Sequence, residues 1–160
     1  MIAIYKKELS VFFNTNIGPI IIGIFLLTNS LLLWSNISQF NILENAYASM
    51  DIFFNVAPIL FLFFISALSM GTFCQEYNLG TIETIVTKPI TSNQIILGKY
   101  FAILSLVILS ILPTLLYVIT IYFLGETTGN LDIAAICGSY IGLIMLSSNF
   151  ASIGIYTSSI

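Results

Sequence analysis

The chain has 160 residues, 58% hydrophobic and 7% charged, with mean hydropathy +1.05 and formal net charge −3. A soluble domain carries about 25% charged residues, so this chain cannot cover its own surface with polar groups, and the solvent for most of it is lipid. The charges form no basic patch with interleaved aromatics, which sets nucleic acid aside and leaves membrane lipid as the expected surroundings.

Residues 1–16 place Ile2, Tyr5, Leu9, Phe12 and Phe13 at helical spacing, with Lys6, Lys7 and Glu8 clustered between them. The pattern predicts an amphipathic helix lying in the membrane interface. The plainer alternative is a cytoplasmic flank of the first span. Residues 17–35 carry no charge and, at about 1.5 Å per residue, reach about 28 Å, enough to span. Pro19 falls in the first turn, where a missing N–H costs little, and Trp34 stands where an interfacial aromatic is expected. A signal peptide is the competing reading. Against it, the apolar run is too long and Ala46-Tyr47-Ala48 lies too far beyond it.

Residues 36–51 form a polar loop with Glu44 and Asp51 but no Lys or Arg, and Asn36-Ile37-Ser38 matches a glycosylation sequon that matters only in a eukaryotic secretory setting. Residues 52–73 make a second uncharged span, in which Pro58 is expected to kink the helix or to break one backbone bond near its outer end. Residues 74–99 are the longest polar interval and hold Glu76, Glu83, Lys88 and Lys99. The third span is residues 100–124, with Pro113 near its middle. The loop 125–132 carries Glu126 and Asp132 and again no basic residue. A fourth span, residues 133–156, is rich in small residues, and Gly138 and Gly142 form a G-x-x-x-G pair of the kind that lets helices approach.

All four basic residues, Lys6, Lys7, Lys88 and Lys99, therefore fall on one side, which the positive-inside rule assigns to the cytoplasm together with both ends of a four-span chain. Cys74 and Cys137 then lie near opposite faces, too far apart to bridge, and neither has metal-ligand spacing. The spans so drawn contain no ionisable group, which argues against a proton-coupled carrier. No Walker A pattern, Cys/His cluster or nucleophile elbow occurs, so neither an enzyme nor an ATP site is expected on this chain.

On a helix through residues 76–87, Glu76, Gly80, Glu83 and Thr87 share one face, while Leu79, Ile82, Ile85 and Val86 gather on the other. Gly80 weakens such a helix or marks a break between two pieces. Pro89 disfavours helical geometry at Lys88. Thr91, Ser92 and Asn93 offer caps for a second helix from Gln94 to Lys99, which brings Gly98 and Lys99 to the lipid boundary beside span three. The alternative is a solvated loop that merely joins two spans.

The run Glu76-Tyr-Asn-Leu-Gly80-Thr81-Ile82-Glu83, followed by Thr87-Lys-Pro89-Ile90 and Ile95-Ile-Leu-Gly98-Lys99, resembles the cytoplasmic segment of ABC transporter permeases of the type-2 exporter class. Within that class it is most like the permease subunit associated with gliding motility. Lys7-Glu8-Leu9 before Pro19 resembles the class's interfacial helix. The resemblance implies an all-α integral membrane protein: an interfacial N-terminal helix plus four transmembrane helices, a partial six-span domain that stops after the fourth span. It implies a pair of permease subunits, identical or different, in the bacterial cytoplasmic (inner) membrane. A separate ABC ATPase subunit would bind the ATP, and no cofactor would sit on this chain. It also implies that Glu76, Gly80, Thr81, Glu83, Thr87 and Pro89 belong to the ATPase-coupling interface, with Lys6, Lys7, Gly98 and Lys99 at the membrane boundary. A non-transporting scaffold that docks a cytoplasmic partner is the alternative function.

Overall fold

The computed structural model describes residues 1–34, 49–78, 80, 91–124 and 131–159, and at residues 17 and 73–78 the backbone alone. Every regular element among the described residues is helical: α1 (Ile2–Asn14), α2 (Ile17–Trp34), α3 (Asp51–Asn78), α4 (Ser92–Ile111), a 3-10 turn (Leu112–Thr114), α5 (Leu115–Leu124) and α6 (Ile133–Ser158). Helices are the expected answer where no water is at hand to satisfy backbone groups, because each segment closes its own hydrogen bonds. Three stretches, Asp51–Thr72, Ser92–Leu124 and Ile133–Ser158, are long and apolar enough to cross a membrane, and there are four if the bent pair of α1 and α2 counts as one span.

The bend between α1 and α2 is 69°. It follows directly from the sequence at the corner. A Cβ on Gly18 would stand 3.1 Å from the carbonyl carbon of Phe12, so only a glycine lets the two helices fold this tightly. The expected N-terminal helix is present, but its inward face differs from the one drawn. Ile4 and Glu8 are buried one turn apart, while Ile2 and Phe13 are exposed. The apolar residues alone suggested a different face, because the acid at position 8 turns inward instead of outward with Lys6 and Lys7.

The α3 helix is the centre of the bundle. It runs through Pro58 without interruption and packs against α6, α2 and α4. Its core residues Phe53, Ala57, Phe61, Phe64 and Leu68 recur every three or four positions, as one face of a helix must. Phe61 and Phe64 stack on Phe25 of α2, at centroid distances of 5.3 and 4.6 Å. On α6 the matching stripe is Ile136, Tyr140, Leu143, Ala151 and Ile155. The opposite side of α6, with Ile133, Ile141, Met145 and Ile153, is exposed.

Two glycines set how closely these helices meet, and they are not the expected pair. Gly138 and Gly142 face open space, whereas a Cβ on Gly154 would lie 2.7 Å from Ser69 Cβ on α3. Among the described residues nothing uses the G-x-x-x-G pattern, and the close α3–α6 crossing rests on Gly154. Likewise, a Cβ on Gly98 would lie 3.0 Å from Ile4 Cβ, so Gly98 seats α1 on α4.

The third span is broken. Pro113 cannot donate to the carbonyl four residues back, and residues 112–114 tighten into a 3-10 turn between α4 and α5. The turn is tied across the bundle. Thr114 Oγ1 donates to the Ile111 carbonyl at 2.6 Å, and Tyr140 Oη of α6 lies 3.2 Å from Thr114 Oγ1 and 3.3 Å from the Thr114 carbonyl. At the start of α6, Asp132 Oδ1 accepts from the Ala135 N–H at 3.2 Å. The acid that reads as a loop charge is thus the helix N-cap.

Candidate functional site

The described parts of the polar interval are its two ends, and the site is built from them. On the near side α3 continues to Asn78, beyond the expected span end at residue 73. Gly80 follows with φ +64°, a left-handed conformation that glycine adopts freely and that commonly ends a helix. A single helix over residues 76–87 is thereby ruled out. Glu76 belongs to the last turn of α3, and Gly80 is the break that the sequence allowed as an alternative. The side chain of Glu76, and residues Thr81, Glu83, Thr87 and Pro89 entirely, lie outside the described residues.

On the far side Thr91 is the N-cap of α4. Its backbone carbonyl accepts from the N–H groups of Gln94 and Ile95 at 2.9 and 3.3 Å, and its hydroxyl makes no capping bond. The helix that this begins enters the bundle directly, and Gly98 and Lys99 in its second turn are both buried. Lys6 and Lys7 are exposed on α1.

Lys99 is where the two ends meet. Its side chain is wholly enclosed by protein, and Nζ reaches two oxygens: the Glu8 carboxylate of α1 at 3.1 Å and the Thr72 carbonyl of α3 at 2.5 Å. Three helices are joined at one ammonium. A lone charge in an apolar interior is very costly, and here the carboxylate neutralises it while the Thr72 carbonyl accepts a hydrogen bond from a second N–H. The span helix Ser92–Leu124 thus contains a lysine that never faces lipid. Beside Glu8 a cavity of about 90 Å³ opens between α1, α2 and α3, bordered by Phe12, Thr15, Leu68, Gly71 and Thr72.

The sequence signalled Lys99 but not its partners. Glu8 stood in a run of three charges, with nothing local to separate it from Lys6 and Lys7. The Thr72 oxygen is a backbone atom. The usable signal was the spacing of Ile4 and Glu8, one turn apart on α1.

The profile of a family described as ABC-2 family transporter protein matches residues 11–157. The chain belongs to the ABC-2 transporter family. No curated protein and no solved structure matches it. The family match runs from the last turn of α1 to the end of α6 and so takes in α2, the polar interval and every later helix. For an ABC-2 membrane protein the arrangement makes chemical sense as mechanics rather than catalysis. Among the described residues the buried polar side chains are the Lys99–Glu8 pair, the Asn29 amide and several hydroxyls. The ion pair and the Thr114–Tyr140 contact join helices, and the other hydroxyls bond to carbonyls of their own helix.

Proposed function

We propose that this ABC-2 chain is the membrane subunit of an ATP-driven exporter, and that segment 74–99 couples a separate ATPase subunit to movement of the spans. The ATP is bound by that partner, and a second permease subunit completes the transporter. The segment and the N-terminus face the cytoplasm of a bacterial cell, across its cytoplasmic membrane. Gliding is the process to test first, on the strength of the sequence resemblance.

The observation that carries the reading is the Lys99 junction. The helix that leads into the segment and the helix that leads out of it are fastened to each other at Thr72 and Lys99, and both are fastened to α1 through Glu8. A force applied to the segment would reach α1, α3 and α4 together. Rigid helices moving about a packed interface are an established way to carry such a displacement.

The test is Glu83→Lys in the complete permease–ATPase complex. Association with the ATPase should fall while membrane insertion is unchanged, and nucleotide-dependent crosslinking through Cys74 should be lost. Unchanged complex formation and ATP-driven activity would remove Glu83 from the interface. Crosslinking that ignores nucleotide in the unsubstituted complex would favour a docking scaffold over a transporter.

A further inference from the structure

We infer that the corner between α1 and α4 is a binding site for an anionic phospholipid, with one acyl chain lying along α4 and the phosphate beside Lys6. The corner holds an open groove of about 320 Å³, walled by Met1, by Ile2 and Tyr5 of α1 and by Phe101, Leu104, Ser105 and Ile108 of α4. The four α4 residues follow the i, i+3, i+4, i+7 spacing of a single helix face. They lie on the other side of α4 from Ala102, Ile103, Leu106 and Val107, which are buried in the bundle.

Three features point to a lipid rather than to water or a polar ligand. The walls are apolar, and the one side-chain hydroxyl of the α4 face, Ser105 Oγ, is already committed to the Ala102 carbonyl at 2.8 Å. The groove climbs: from Phe101 to Ile108 α4 rises about 10 Å at 1.5 Å per residue, which is the direction an acyl chain takes from the interface into the bilayer. At its α1 end the charge is complementary. Lys6 is exposed and stands one turn beyond Ile2, on the same side of α1. Lys6 does not line the groove itself; from its place next to Tyr5 and one turn from Ile2, its long side chain has the reach to meet a phosphate at the groove's mouth. The lower end of the groove is fixed by the tight seating of Ile4 on Gly98. The corner is thus part of the folded framework, and the site is independent of any coupling to ATP.

The test uses the complete permease in nanodiscs that contain phosphatidylglycerol or phosphatidylcholine, each bearing a photoreactive group near the end of one acyl chain. Labelled residues are mapped by peptide mass spectrometry. Residues 101–108 should be labelled, with phosphatidylglycerol favoured about fivefold, the preference expected from one lysine near an anionic headgroup. Lys6→Glu should abolish the preference and Lys6→Arg should keep it. Ser105→Trp, which fills the groove, should remove labelling by both lipids at these residues. Labelling at 101–108 that ignores the headgroup would overturn the proposal. So would an absence of label there, or crosslinking of this face to a second copy of the chain.

Discussion

Two places in the bundle hide polar atoms from lipid, and they do so by different means. At the Lys99 junction a full charge is buried and is neutralised by an acid 91 positions away in the chain. At the Pro113 break no charge is involved. Hydroxyls of Thr114 and Tyr140 cover a turn where proline has removed a backbone donor. The first arrangement joins three helices and tolerates no missing partner. The second joins two, and each hydroxyl has a backbone oxygen within reach. A buried charge therefore fixes helix positions more stringently than a buried hydroxyl, because leaving it unpaired costs several times more.

That contrast can be broken by substitution, most severely at the charge. Glu8→Gln leaves the Lys99 ammonium enclosed opposite a neutral amide, and loss of one partner of a buried pair costs about 3–5 kcal/mol. The thermal midpoint of the purified protein should fall sharply. The double replacement Glu8→Leu with Lys99→Met should restore most of it, since an apolar pair of similar volume is often neutral or better. A midpoint unmoved by Glu8→Gln would mean that the pair is not enclosed.

A smaller effect separates the glycines. Gly154→Ala forces a methyl into Ser69, and overpacking of this kind costs about 1–3 kcal/mol. Gly138→Ala and Gly142→Ala meet nothing and replace a poor helix former with the best one, so stability should hold or rise by up to about 1 kcal/mol. Equal losses at all three positions in the same melting experiment would contradict the helix crossing described.

The smallest effect lies at the Pro113 break. Tyr140→Phe removes one hydroxyl whose partner, Thr114 Oγ1, keeps its own bond to Ile111. Hydrogen bonds between helices in membranes average about 0.6 kcal/mol, so the loss should stay below about 1.5 kcal/mol. A loss as large as that of Glu8→Gln would show that the neutral region is as exacting as the charged one.

Much of the fold was legible in advance. The helix starts at Ile17 and Ile133 match the starts of apolar runs, and the capping residues Thr91 to Asn93 mark the start at Ser92. The sequence shows Pro113 only as a proline near the middle of the third span, and the break there came from the structure. The apolar span ends at Thr72, next to the boundary that hydropathy marks, while the α3 helix itself continues to Asn78, because a helix needs only backbone bonds to run through polar residues. Gly80, with its positive φ, follows. For the site, the sequence named Lys99 as a residue of the lipid boundary, whereas the structure buries it. It could not find Glu8, whose role depends on where α1 lies.

What the sequence determined by itself is whatever depends on neighbours along the chain: apolar runs long enough to span, four lysines confined to alternate intervals, and turns where glycine and proline stand. What only the tertiary structure decided is which side chains meet. Gly154 rather than Gly138 or Gly142 became the crossing point, and Lys99 turned into protein rather than towards the boundary. The reason is physical. Helix formation is closed within each segment, whereas the partners of a buried charge or of a bare glycine face are set by how separate helices dock.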